Sequence, residues 1–118
     1  MLLPIKPICA GKDQRRDGTS PIYLQYCYSA EKRTLLNTGI AIPSNYWNPG
    51  KLCIKETLPT VYGDVLFLND EVNRMLRLAE DLIRYAFRNK IEDPGQFVKG
   101  LFKPDFDIST LPKGQEGE

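Results

Sequence analysis

Lysine and arginine hold phosphate groups, and the planar ends of arginine, glutamine and asparagine match the hydrogen-bonding edges of bases. The first half of this 118-residue chain collects these types: Lys6, Lys12, Arg15, Arg16, Gln25, Lys32, Arg33 and Asn37, with Tyr23 among them. The overall net charge of +1 conceals the grouping. Residues 1–55 carry eight basic against three acidic side chains, a net of +5, whereas residues 56–118 carry eight against twelve, a net of −4. A basic half joined to an acidic half suits a chain whose first half faces a polyanion; chance segregation of solvated charge gives the same arithmetic.

Other chemistries lack their side chains. There is no histidine, hence no Ser-His-Asp or Cys-His nucleophile, no His-ligated metal and no imidazole base near neutral pH. Cys9, Cys27 and Cys53 are odd in number and widely spaced, which reads as reduced structural cysteines rather than a disulfide framework or a zinc site. No paired carboxylates, phosphate-cradling glycine loop or metal cluster stands out, so the expectation is a non-catalytic chain with no cofactor and no small-molecule substrate. No apolar run approaches the roughly 20 residues of a membrane span, and the first residues do not resemble a signal peptide; the chain reads as cytoplasmic, with no membrane partner. At 42% hydrophobic it has enough apolar side chain for one small domain with a real core.

Strands must position the polar residues. Leu3 to Ala10 is apolar but holds Pro4 and Pro7, which suits a sheet edge. A polar loop closed by Asp17-Gly18 leads to Pro21–Ser29, rich in Ile, Tyr and Leu; after a short turn, Arg33–Ile42 returns. Alternation predicts that Ile5, Pro7, Cys9, Ile22, Leu24, Tyr26, Tyr28, Thr34, Leu36, Thr38 and Ile40 point inward. Lys6, Ile8, Tyr23, Gln25, Cys27, Arg33, Leu35 and Asn37 then point to the open side, flanked by Lys12, Arg15, Arg16 and Lys32. Such a face has the chemistry of DNA contact, and it is also what an ordinary solvated sheet face looks like.

Past the sheet, Ser44 is a candidate cap for one helical turn, Trp47 an anchor on the core, and Leu52–Ile54 a short strand. From Asp64 the apolar period becomes helical through Val65, Leu68, Val72, Met75, Ala79, Leu82 and Ala86, capped at Asp64 or restarted at Asn69-Asp70-Glu71. This stripe needs a cover, either the sheet or a second helix. Asn89–Glu92 breaks the pattern, and Asp93-Pro94-Gly95-Gln96 starts a short helix to about Lys103. Residues 104–118 read as a polar linker or tail. The expected fold is α+β: a three-stranded antiparallel sheet packed on a long C-terminal helix, plus a short second helix.

Two stretches are more specific than this pattern: Asp17-Gly18-Thr19-Ser20-Pro21-Ile22-Tyr23-Leu24, and Thr38-Gly39-Ile40-Ala41-Ile42-Pro43-Ser44-Asn45-Tyr46-Trp47-Asn48. In this order and spacing they resemble the N-terminal arm-type DNA-binding domain of tyrosine recombinases, the phage-type integrases of bacterial mobile elements. The resemblance implies an arm-type domain over residues 1–90, a connector helix over 91–103, and a linker over 104–118 toward a core-binding domain. It further implies that the sheet binds duplex DNA at arm sites during integration or excision. Tyr23, Gln25, Arg33 and Asn37 fall where that family presents side chains to DNA, beside the basic loop; Gln25 stands where many relatives carry a basic residue, and Cys27 is unusual. Other recombinase subunits are implied partners. The rival expectation is a protein-interaction module in which the Val72/Met75/Leu82 stripe pairs with another subunit.

Overall fold

The computed structural model describes residues 3–111. Three antiparallel strands form a meander in the order β1 (Ile5–Cys9), β2 (Ser20–Cys27), β3 (Arg33–Ile42). Pro7 lies in β1, and β1 pairs with β2 alone, so the missing proline N–H removes nothing the sheet needs. The register sets Lys6 opposite Gln25 and Ile8 opposite Tyr23 across β1 and β2. Across β2 and β3, Tyr23 faces Asn37, Gln25 faces Leu35 and Cys27 faces Arg33.

One irregularity interrupts β3. From Tyr23↔Asn37 to Pro21↔Ala41, β2 moves by two residues while β3 moves by four. The two extra residues form a bulge around Gly39, whose φ of +79° is left-handed. Its turn is closed by the Gly39 N–H donating to Asn37 Oδ1 (2.8 Å), while Thr38 Oγ1 donates to the Ile22 carbonyl (2.8 Å). An even insertion preserves the alternation, so Ile42 still points inward and is fully buried.

The long helix α1 (Val65–Arg88) is continuous, and Asp64 caps it by accepting from the Phe67 N–H at 3.0 Å. Asn69 does not restart the helix. Its side chain instead exchanges two hydrogen bonds with Ile54, accepting from the N–H (2.9 Å) and donating to the carbonyl (3.2 Å). These tie α1 to a small hairpin of β4 (Trp47–Asn48) and β5 (Cys53–Ile54).

The α1 stripe meets the inward face of the sheet in two clusters. Met75, Leu78, Ala79, Leu82 and Ile83 pack with Leu24, Tyr26 and Leu36. Val72 joins Ile22, Ile42, Trp47, Ile54 and Leu58, so the tryptophan is a core anchor. At roughly 1.5–3 kcal/mol for each fully buried large aliphatic side chain, this interface dominates the stability of the domain. Ser44 begins a 3-10 turn (Ser44–Tyr46), but Pro43 occupies the cap position and no side chain caps the turn.

α1 ends with Lys90 in a left-handed conformation (φ 54°), and the Ile91 N–H returns to the Ala86 carbonyl at 2.9 Å. α2 (Pro94–Leu101) then starts on Asp93, which accepts from the Gln96 N–H at 3.1 Å. The helix stops two residues short of Lys103 because Phe102 turns into the core. Residues 104–111 are not a loose linker: Phe106, Ile108 and Leu111 pack on the same core as α1, and Asp107 caps a turn over Ile108–Thr110. Three apolar side chains suffice to dock a stretch whose average composition is polar. The rest of the expected tail, 112–118, lies outside the described residues. No helix among the described residues is long and apolar enough to cross a membrane.

Two glycines of α2 separate packing from propensity. A Cβ on Gly95 would overlap the Tyr28 ring, whereas one on Gly100 would meet nothing within 4 Å. Gly95→Ala is expected to destabilise the protein by about 1–3 kcal/mol, and Gly100→Ala to stabilise it by about 0.4–1 kcal/mol, in urea unfolding. Equal effects would remove the proposed Tyr28–α2 packing.

Candidate nucleic-acid interface

Because α1 covers the inward side chains, the alternate set faces outward, with no helix over it among the described residues. Across the three strands this face reads Lys6–Gln25–Leu35 in one row and Ile8–Tyr23–Asn37 in the next, with Cys27–Arg33 at the end. Lys6, Arg33 and Asn37 are exposed; Tyr23 and Gln25 are half-buried between their strand neighbours. The cysteines at 9, 27 and 53 are unpaired and half-buried, and burial pushes the Cys9 thiol pKa up.

Two loops bracket the face. Between β1 and β2, Lys12 lies in a 3-10 turn (Gly11–Asp13), and Arg15 and Arg16 follow it, all exposed. This loop is built by local bonds. The Arg15 N–H donates to the Thr19 carbonyl (2.7 Å), the Gly18 N–H to the Arg15 carbonyl (3.0 Å), and Gly18 is left-handed at φ 87°. Lys32 sits in the opposite turn, where the Tyr28 N–H donates to its carbonyl at 3.1 Å. β2 has eight residues, so at about 3.3 Å per residue roughly 25 Å of sheet separates the two ends.

Among the described residues, none of Lys6, Lys12, Arg15, Arg16, Lys32 and Arg33 makes an ion pair. The pairs Arg74–Glu71 (2.9 Å) and Arg84–Asp81 (3.2 Å) lie on α1. Six side-chain cations therefore share the sheet's open face and its borders without a carboxylate bound to them. A shallow depression of about 360 Å³ joins loop to strands, lined by Ile8, Lys12, Asp13, Gln25, Arg33 and Leu35, among others.

All nine candidate residues from the sequence thus lie on this face or its two loops, though not all are equally free. The Asn37 carbonyl oxygen accepts from the Gly39 N–H, which fixes the orientation of its amide. Gln25 makes only a long contact, 3.9 Å from Nε2 to the Cys27 sulfur. Polar residue type does not single out Ile8 and Leu35, yet both line the depression; alternation is the signal that puts them there.

Asp17 holds the basic loop in shape. Its Oδ1 accepts from Thr19 Oγ1 (2.6 Å) and the Thr19 N–H (2.9 Å). The Thr19 hydroxyl bond, then the Thr19 backbone bond, hold its pKa below the ordinary 3.8 against an opposing desolvation, with a lesser contribution from Arg15. A lowered carboxylate pKa stabilises the fold above the unfolded value and loses that contribution as pH falls through the folded value. An NMR titration should place the Asp17 midpoint below 3.8 and show Thr19→Val moving it up toward 3.8; an unchanged midpoint in the variant would remove the hydroxyl as the cause.

Comparison of the chain with known protein families, curated proteins and solved structures returns no match.

Proposed function

We propose that this chain binds duplex DNA through the open face of its sheet, as a non-catalytic arm-type domain that positions a tyrosine recombinase during integration or excision. The observation that carries the reading is the gathering of Lys6, Lys12, Arg15, Arg16, Lys32 and Arg33 around one uncovered sheet face, none of them in an ion pair among the described residues. A sheet of this width fits the major groove, and loops at its two ends can hold phosphates on either side. The two motifs at Asp17–Leu24 and Thr38–Asn48, which resemble those of the integrase arm domains, support the same role. The domain contributes affinity and register; the cutting chemistry belongs to a catalytic domain of the whole enzyme.

A second reading, protein interaction through the long helix, draws on different residues from those expected. Val72, Met75 and Leu82 are buried within the chain itself. What remains apolar and exposed near the start of α1 is Val61, Leu66 and Phe67, at 83%, 74% and 60% exposure.

Charge reversal separates the two. With four to six phosphate contacts, log K for duplex DNA should fall against log salt with a slope on the order of −4 to −5, about 0.9 per contact. The triple variant Arg15→Glu/Arg16→Glu/Arg33→Glu should keep its circular dichroism and thermal unfolding yet lose duplex binding by at least tenfold. Folded protein with undiminished, salt-insensitive binding would reject the DNA reading; intact assembly and no DNA binding by the unmutated chain would favour the interaction module.

A further inference from the structure

We infer that the depression beside β1 is an A·T-reading site: Gln25 takes the adenine edge, and Ile8 with Leu35 takes the thymine methyl. This rests on the duplex-DNA reading above and adds which base pair the face selects, and with which side chains.

The register brings these groups together. Gln25 lies directly opposite Leu35 on β3, and Ile8 is opposite Tyr23, two residues along β2 and one row nearer the basic loop. Ile8, Gln25 and Leu35 line one concavity with Lys12, Asp13 and Arg33. A glutamine amide presents a donor and an acceptor in one plane, which matches N7 and the N6 amino group of adenine in the major groove. Gln25 can offer both, since its amide makes only the 3.9 Å contact to Cys27. Asn37 is less free to orient, because the Gly39 N–H engages its oxygen at 2.8 Å and fixes the plane of the amide.

The floor selects the partner base. Leu35 is a large apolar side chain left 36% exposed on the edge strand β3, and with Ile8 it forms the apolar part of the concavity. A thymine methyl buries against such a surface, whereas cytosine carries only a hydrogen at that ring position and leaves the surface uncovered. The carboxylate of Asp13, among the lining residues, disfavours a phosphate inside the concavity. Lys12 and Arg33 supply the positive charge that draws the backbone to its borders. The depression is therefore shaped for a base-pair edge rather than a bare phosphate.

Selection of the chain on a random-sequence duplex pool, followed by anisotropy titration of the enriched duplex, tests this. An A·T pair should be enriched at one position, and G·C there should weaken binding roughly tenfold or more. Uracil for thymine, which removes only the methyl, should cost about three- to fivefold. 7-Deazaadenine should weaken wild-type binding and leave Gln25→Ala unaffected. Leu35→Ala should lose the thymine–uracil difference. Both variants should remain folded and keep salt-dependent binding, because both side chains are on the solvent face. Duplex binding with no A·T position, or Gln25→Ala and Leu35→Ala that discriminate as well as wild type, would overturn the A·T site and leave the DNA-binding reading standing. No salt-dependent duplex binding at all would overturn both.

Discussion

A three-stranded sheet has two faces, and this chain has one long helix to cover them. When Met75, Ala79, Leu82 and Ile83 close over Leu24, Tyr26 and Leu36, they remove one face from water and leave the other in it. Everything polar about the domain follows from that choice of side. The strands alternate, so burying one set commits Lys6, Tyr23, Gln25, Arg33 and Asn37 to the opposite side. A one-residue slip of β2 would drive Gln25 and Tyr23 into the helix and expose Leu24, which is why the register is well specified.

The second cluster extends this constraint to one end of the sheet. The bulge at Gly39 inserts an even number of residues, so Ile42 rejoins the buried side and meets Ile22, Trp47, Ile54 and Val72. The same bulge uses Asn37 as a bracket, through the Gly39 N–H. One side chain thus serves the backbone, whereas Gln25, placed mid-strand with no turn to stabilise, carries no such duty.

Much of the fold was legible. The period change at Asp64, the Asp93-Pro94 start and the strand alternation are local signals, each set by how neighbouring side chains share a face or a cap. Average polarity gives a linker over 104–118, whereas docking of 104–111 depends on where Phe106, Ile108 and Leu111 land. Of the two candidate starts, Asp64 caps the helix, and Asn69 instead bonds Ile54, 15 residues away. Long-range partners of this kind leave no periodic trace.

By itself the amino-acid sequence determined which residues could share a face, since parity along a strand and spacing along a helix are covalent facts. It also determined the charge asymmetry between the halves. Only the tertiary structure decided which of the two sheet faces is covered and which of the polar side chains on the open one stay free. Those outcomes depend on how β1, β2 and β3 align with one another. That alignment sets Gln25 against Leu35, joins Ile8 to the same depression, and holds Asn37 in its bulge. Side chains from separate strands become one surface only when backbone hydrogen bonds fix the strands' relative register.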